Sequence, residues 1–123
     1  MRKISEVQYI NTDGIKKDKL FFISSGTNIL YTLSIKDLVI EKVTVLGRKS
    51  NSWAVLLYGE NIYCCALDDC SVYKLDNNGK IINEFIYQKE TGYMLDAYIY
   101  MNTIVFIPWN IGDKMKFPLV ALH

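Results

Sequence analysis

Ile62-Tyr63-Cys64-Cys65 is a run of four apolar residues that recurs in outline at two other places in the chain. Leu20-Phe21-Phe22-Ile23 lies upstream of it and Ile104-Val105-Phe106-Ile107 downstream, and the three starts, at 20, 62 and 104, are evenly spaced at 42. The phase extends outward from these runs. Leu30-Tyr31-Thr32-Leu33 aligns with Val72-Tyr73-Lys74-Leu75, and less closely with Lys114-Met115-Lys116-Phe117. Val39-Ile40-Glu41-Lys42-Val43 aligns with Ile81-Ile82-Asn83-Glu84-Phe85, while Ile15, Leu57 and Ile99 align upstream, each ahead of a short polar turn. Each copy therefore reads as four strands. In the second copy they are expected at 53–58, 62–67, 71–75 and 80–87. Asp68-Asp69 and Asp76-Asn77-Asn78-Gly79 supply the breaks, because Asn and Gly tolerate the positive φ of tight hairpin turns. No window carries a sustained helical period.

The second strands of the copies are apolar at every position. Leu20 and Phe22 fall on one face, Phe21 and Ile23 on the other. A sheet with one wetted face alternates apolar and polar residues instead, so these strands are expected to be covered on both sides. A period of roughly 40 residues in an all-strand chain, with doubly covered strands, is the pattern of stacked propeller blades. A β-sandwich or another meander also buries central strands twice. The expected fold is all-β: a partial β-propeller of about three four-stranded antiparallel blades, the last lacking its fourth strand. It forms one domain over 1–123, with blades at about 9–50, 51–92 and 93–123 and residues 1–8 available as a closure strand. The pattern resembles divergent bacterial propeller repeats of the broad WD40, kelch and NHL-like superfamily, and closest are blades whose second strand ends like Phe106-Ile107-Pro108-Trp109. The Gly-His and Trp-Asp pairs of WD40 repeats are absent. So are the kelch double glycine and the Gly- and Asp-bearing end of quinoprotein repeats. The resemblance implies architecture and carries no functional residues with it.

Composition narrows the functional classes. Half the residues are hydrophobic and 22% are charged, as in an ordinary globular domain. The formal net charge of +1 gives no basic footprint for nucleic acid or an anionic membrane. The longest apolar runs fall far short of a membrane span, and Ser5, Glu6 and Gln8 break any secretory leader after Met1-Arg2-Lys3. A cytoplasmic location is expected. Three cysteines clustered at 64, 65 and 70 do not make a disulfide framework. Cys64 and Cys65 point to opposite faces of a strand, whereas Cys65 and Cys70 can share one; the three read as small buried hydrophobes. The only histidine is His123, so a Ser-His-Asp or Cys-His arrangement has no internal base. No Gly-rich phosphate loop is present, and Asp76-Asn77-Asn78-Gly79 lacks the alternating acidic ligands of a calcium loop and reads as a turn. No metal and no cofactor are expected.

Any binding chemistry is expected on the rim where the second-to-third-strand connections meet those between copies. Arg48, Asp68, Asp69, Trp109 and Asn110 are the candidate residues there, a mixed polar and aromatic set suited to a sugar, a peptide or another small polar ligand. Asp68-Asp69 also reads simply as a turn, and Trp53, opening a strand, as core packing. Three blades cannot close a ring, and the third copy runs out at 123, where its fourth strand is due. Two arrangements follow: a head-to-tail homodimer of six blades in which each N-terminal strand completes the partner's third blade, or additional blades from a longer chain. Leu119-Val120-Ala121-Leu122 is a further candidate for a short fourth strand after Pro118. The functional expectation is a non-enzymatic binding module that completes its ring by self-association. An enzyme-like ligand site in the central channel of a completed six-bladed ring is the alternative.

Overall fold

The computed structural model describes residues 18–86, 93–110 and 117–122. Within them the chain forms ten strands and no helix. They are β1 (Lys19–Ile23), β2 (Ile29–Ser34), β3 (Ile40–Val45), β4 (Trp53–Tyr58), β5 (Asn61–Ala66), β6 (Val72–Leu75), β7 (Ile81–Phe85), β8 (Met94–Tyr100), β9 (Thr103–Pro108) and β10 (Leu119–Ala121). They build three open antiparallel sheets, ordered β1-β2-β3, β4-β5-β6-β7 and β10-β9-β8. The all-β expectation holds, and no helix among the described residues is long and apolar enough to cross a membrane.

The hairpins that open the second and third sheets share one register. Leu57 pairs with Ile62 and Val55 with Cys64; at the equivalent places one repeat later, Ile99 pairs with Ile104 and Ala97 with Phe106. Their two-residue turns differ. Gly59 adopts φ +59° ahead of Glu60, the position at which a type II′ turn requires glycine. Met101 and Asn102 both have positive φ, at 47° and 61°, as a type I′ turn requires. The β6–β7 turn is held by Asp76, whose Oδ1 accepts from the Asn78 and Lys80 amides at 2.8 and 2.9 Å. That carboxylate oxygen is thus occupied by backbone, as a turn-forming Asp is.

Period-two alternation sorts the central sheet onto two cores. Trp53, Val55, Leu57, Ile62, Cys64, Ala66, Tyr73 and Leu75 face the first sheet and pack with its Phe21, Ile23 and Leu30. Ala54, Tyr63, Cys65, Leu67, Cys70 and Val72 face the third and pack with Met94, Ala97, Ile104, Phe106 and Val120. β4 lies against β1 on one side and β8 on the other. Cys64 and Cys65 do point to opposite cores, and Cys65 and Cys70 do share one. Trp53 is core, as expected, with its indole Nε1 donating to the Thr27 carbonyl at 2.8 Å.

Among the described residues, each outer sheet packs against another sheet on one face only. In the first sheet Leu20, Phe22, Tyr31 and Leu33 are half-buried, with the Phe22 and Tyr31 rings stacked at 5.5 Å. In the third, Asp96, Tyr98, Tyr100, Val105, Ile107 and Leu119 fall on the outward face. Tyr98 is 53% exposed and Leu119 59%. The Tyr98 hydroxyl donates to Asp96 Oδ2 at 3.1 Å within this face.

Several expectations need adjustment. The first copy's leading strand around Ile15, the 1–8 closure strand, Tyr87, residues 114–116 of the third copy and His123 lie outside the described residues. The phase pairs Ile104 with Phe117, because Ile62 pairs with Leu75. Instead Ile104 pairs with Val120. Pro118 explains the slip: it has no N–H for a ladder, so the strand begins after it, while its carbonyl accepts from the Phe106 amide at 3.0 Å. Leu119-Val120-Ala121 is therefore the third strand of its sheet and not a fourth. Thr32, expected on a partly solvated strand, is buried.

Candidate functional site

The connections between and within the sheets meet at one end of the stack. The Gly26 amide donates to the Ser50 carbonyl at 2.8 Å, joining the β1–β2 turn to the β3–β4 connection. The Ser25 hydroxyl donates to the Asn51 carbonyl in the same junction. The Leu67 amide donates to the Ser52 carbonyl at 2.9 Å, and the Met94 amide to the Leu67 carbonyl at 2.8 Å. The Trp109 amide reaches the Tyr93 carbonyl at 3.1 Å. A continuous belt of backbone contacts thus runs from the first sheet to the third along this rim.

All five candidate residues stand on that rim, in two groups. Arg48 leaves the β3–β4 connection and meets Asp69 of the β5–β6 turn, with Nη1 and Oδ2 2.5 Å apart. Asp69 has a second duty, since its Oδ1 accepts from the Ser71 amide at 3.0 Å. The turn itself closes with the Cys70 amide on the Ala66 carbonyl at 2.8 Å, and Cys70 takes the left-handed φ of 63°. The turn reading of Asp68-Asp69 thus holds alongside the ion pair, but the positive φ falls one residue later, on a buried cysteine. Asp68 is half-buried, and its Oδ1 is shielded from solvent with no protein hydrogen bond. Arg48 Nε is in the same condition. The second group is Trp109 and Asn110, exposed beyond the end of β9. Trp109 is 65% exposed, and Pro108 closes the strand before it.

Tyr73 underlies the ion pair and was not singled out by sequence reasoning. Its hydroxyl packs against Gly47, where an added Cβ would stand 3.3 Å from the oxygen and 3.7 Å from Glu84 Oε2. A side chain here would press tightly on the hydroxyl, and Tyr73 would have to give by a few tenths of an ångström to admit it. Burial pushes the Tyr73 hydroxyl above the ordinary tyrosine range; the Glu84 charge adds to the rise and Arg48 opposes it. The signal was present in the alignment of Tyr31 with Tyr73, but alignment does not say which copy is covered. Burial also pushes up the Tyr63 hydroxyl, and more strongly the Cys64 thiol. These three groups belong to the packed cores and are held neutral there.

The arrangement supplies a half-exposed guanidinium, two carboxylates and an exposed indole on a rim held by backbone bonds. Such groups recognise hydrogen-bonding ligands and stack on flat apolar ones. Among the described residues no cluster of three or more His, Cys, Asp or Glu is placed to hold a metal ion. No protein-family model matches the chain, and no curated protein matches it.

Proposed function

We propose that this chain is a non-enzymatic binding module of partial-propeller type. In this reading the three sheets are stacked blades, the chain completes its ring by self-association, and the rim carrying Arg48, Asp68, Asp69, Trp109 and Asn110 receives a small polar ligand or peptide. The observation that carries the reading is the contrast between equivalent strands. β5 is buried on both faces, whereas β9, with the same register to its hairpin partner, is buried on alternate residues only. The outward face of the third sheet is apolar, and monomers rarely expose contiguous apolar faces of this kind. A further sheet stacked there would cover β8 and β9 as the third sheet covers β4 and β5. The matched pairing of the two hairpins, one repeat apart, and the contact of β4 with both β1 and β8, support the blade reading.

Light scattering of the full chain at micromolar concentration tests it. A mass of two chains is expected; a monomer at that concentration overturns the self-association.

A further inference from the structure

The two edges of the third sheet are not equivalent. β8 forms its inner edge, beside β4, and β10 forms its outer edge. The Phe106 amide bonds the Pro118 carbonyl, and the Leu122 amide bonds the Asn102 carbonyl at 2.8 Å. Antiparallel ladders alternate in the direction of their hydrogen bonds. Residues 118, 120 and 122 therefore turn their backbone groups toward β9, and Leu119 and Ala121 turn theirs away from the sheet. In the other two sheets the corresponding edge is taken: β3 pairs with β2, and β7 with β6. Among the described residues no strand pairs with the outer edge of β10.

An open groove of about 280 Å³ runs along that edge. Its floor and far wall come from the central sheet, through Tyr63, Lys74, Asn83 and Phe85, and its near wall is the run 119–122. A strand laid there would bond to Leu119 and Ala121 and would set alternate side chains against Phe85 and Val120. The wall is mixed, with an aromatic ring beside an ammonium and an amide. It suits a strand that alternates apolar and polar residues.

Residues 4–9 carry a partial alternation, with Val7 and Tyr9 on one face and Ile4 on the other. Ile4-Ser5-Glu6-Val7-Gln8-Tyr9 matches β3, Ile40-Glu41-Lys42-Val43-Thr44-Val45, with isoleucine first, valine fourth, an apolar residue sixth and polar residues between. β3 is the strand that fills the equivalent place in the first sheet. We infer that the outer edge of β10 is the docking site for residues 4–9 of a second copy of this chain, which add to the third sheet as its fourth strand. The inference rests on the self-association proposed above and names the contact that would produce it. A second copy is favoured over the same chain by position. The first and third sheets lie on opposite faces of the central one, about 20 Å apart by ordinary sheet spacing. The repeat phase aligns residues 11–16 with β4, and a chain that followed that phase would have only Ile10 to cross the stack.

Full-length Ser5→Cys and Ala121→Cys variants, differently tagged, are mixed and treated with a short thiol-to-thiol crosslinker. The native cysteines are buried and stay out of reach. A linked product containing both tags is expected, together with loss of the two-chain mass at micromolar concentration in Val7→Pro, whose far-UV circular dichroism should match the parent. Proline withdraws a ladder N–H and belongs outside paired strands. A two-chain mass that survives Val7→Pro without mixed-tag product overturns the docking site and leaves self-association standing. Linkage within a single chain of the Ser5→Cys, Ala121→Cys double variant overturns the second copy as donor. A monomeric parent overturns both proposals.

Discussion

β5 and β9 are the same strand written twice, and the molecule treats them differently. Both are continuously apolar, both follow a two-residue turn, and both pair with the preceding strand in one register. From Ile62 to Ala66, β5 is buried at every position, while β9 buries Ile104, Phe106 and Pro108 and leaves the residues between them half-covered. The strand's own residues do not cause the difference. It comes from what lies across each face: among the described residues, two sheets for β5 and one for β9. Apolarity on both faces states what a strand requires, and only the neighbouring sheets show whether it is met.

The sharpest way to break this comparison is to empty the two cores. Trp53→Ala and Phe106→Ala each delete a fully buried ring, one from each core, and each is expected to cost about 3–5 kcal/mol in urea unfolding followed by circular dichroism. If the third sheet were only loosely attached, Phe106→Ala would fall well short of Trp53→Ala.

Alkaline pH probes the central sheet, because Cys64, Tyr63 and Tyr73 all belong to it. The unfolded thiol ionises near 9.0 and the folded one higher, so the stability it contributes is complete below pH 9 and is lost as pH rises above it. The two tyrosines extend the loss beyond 10.0. Urea midpoints measured from pH 7 to pH 11 should fall only on the alkaline side, and Cys64→Ala should flatten the first part of that fall. A midpoint that is level through pH 10 would contradict the assignment of a buried, neutral thiol.

Rim and surface changes should be smaller. Asp69→Ala removes both the Arg48 pair and the acceptor for Ser71, and is expected to cost about 1 kcal/mol. Arg48→Ala removes only a half-exposed pair and should cost less than about 1 kcal/mol. An equal loss in both would mean that the turn bond contributes nothing. Met101→Gly relieves a left-handed methionine in the β8–β9 turn, and a gain of about 0.5 kcal/mol is expected after the glycine entropy is set against it. Last, Tyr98→Ser on the outward face should change monomer stability by less than about 0.5 kcal/mol while weakening the two-chain mass in light scattering. An unfolding loss comparable to that of Phe106→Ala would show that this face is already covered.

The hairpins were legible because alternation and turn residues are local: β4 was anticipated at its observed bounds, and the opposite directions of Cys64 and Cys65 follow from strand geometry alone. The third sheet's last strand was legible as a strand after Pro118, but not in its place beside β9. Periodicity transmits register only while connections keep their length, and the β9–β10 connection departs from the phase by three residues, from Phe117 to Val120 as the partner of Ile104. Pro118 was visible, but its consequence depends on which neighbour needs its missing N–H. On the rim, the gathering of Arg48 and Asp69 followed from the expected topology. The place of Tyr73 beneath them did not, because it depends on the close approach of Gly47, a contact between the β3–β4 connection and the central sheet.

Asp96 gives the outward face of the third sheet a character that its tyrosines and leucines alone would not. A carboxylate stands in the middle of an otherwise oily surface, bonded to the Tyr98 hydroxyl. Its other oxygen accepts from the Ala97 amide at 2.9 Å, so the sheet itself holds the group in place. A surface that sealed this face would still draw the charge away from water, at a cost of several kcal/mol unless it brought further donors. In the self-association proposed above, that acid would favour a matched surface over an indiscriminate one.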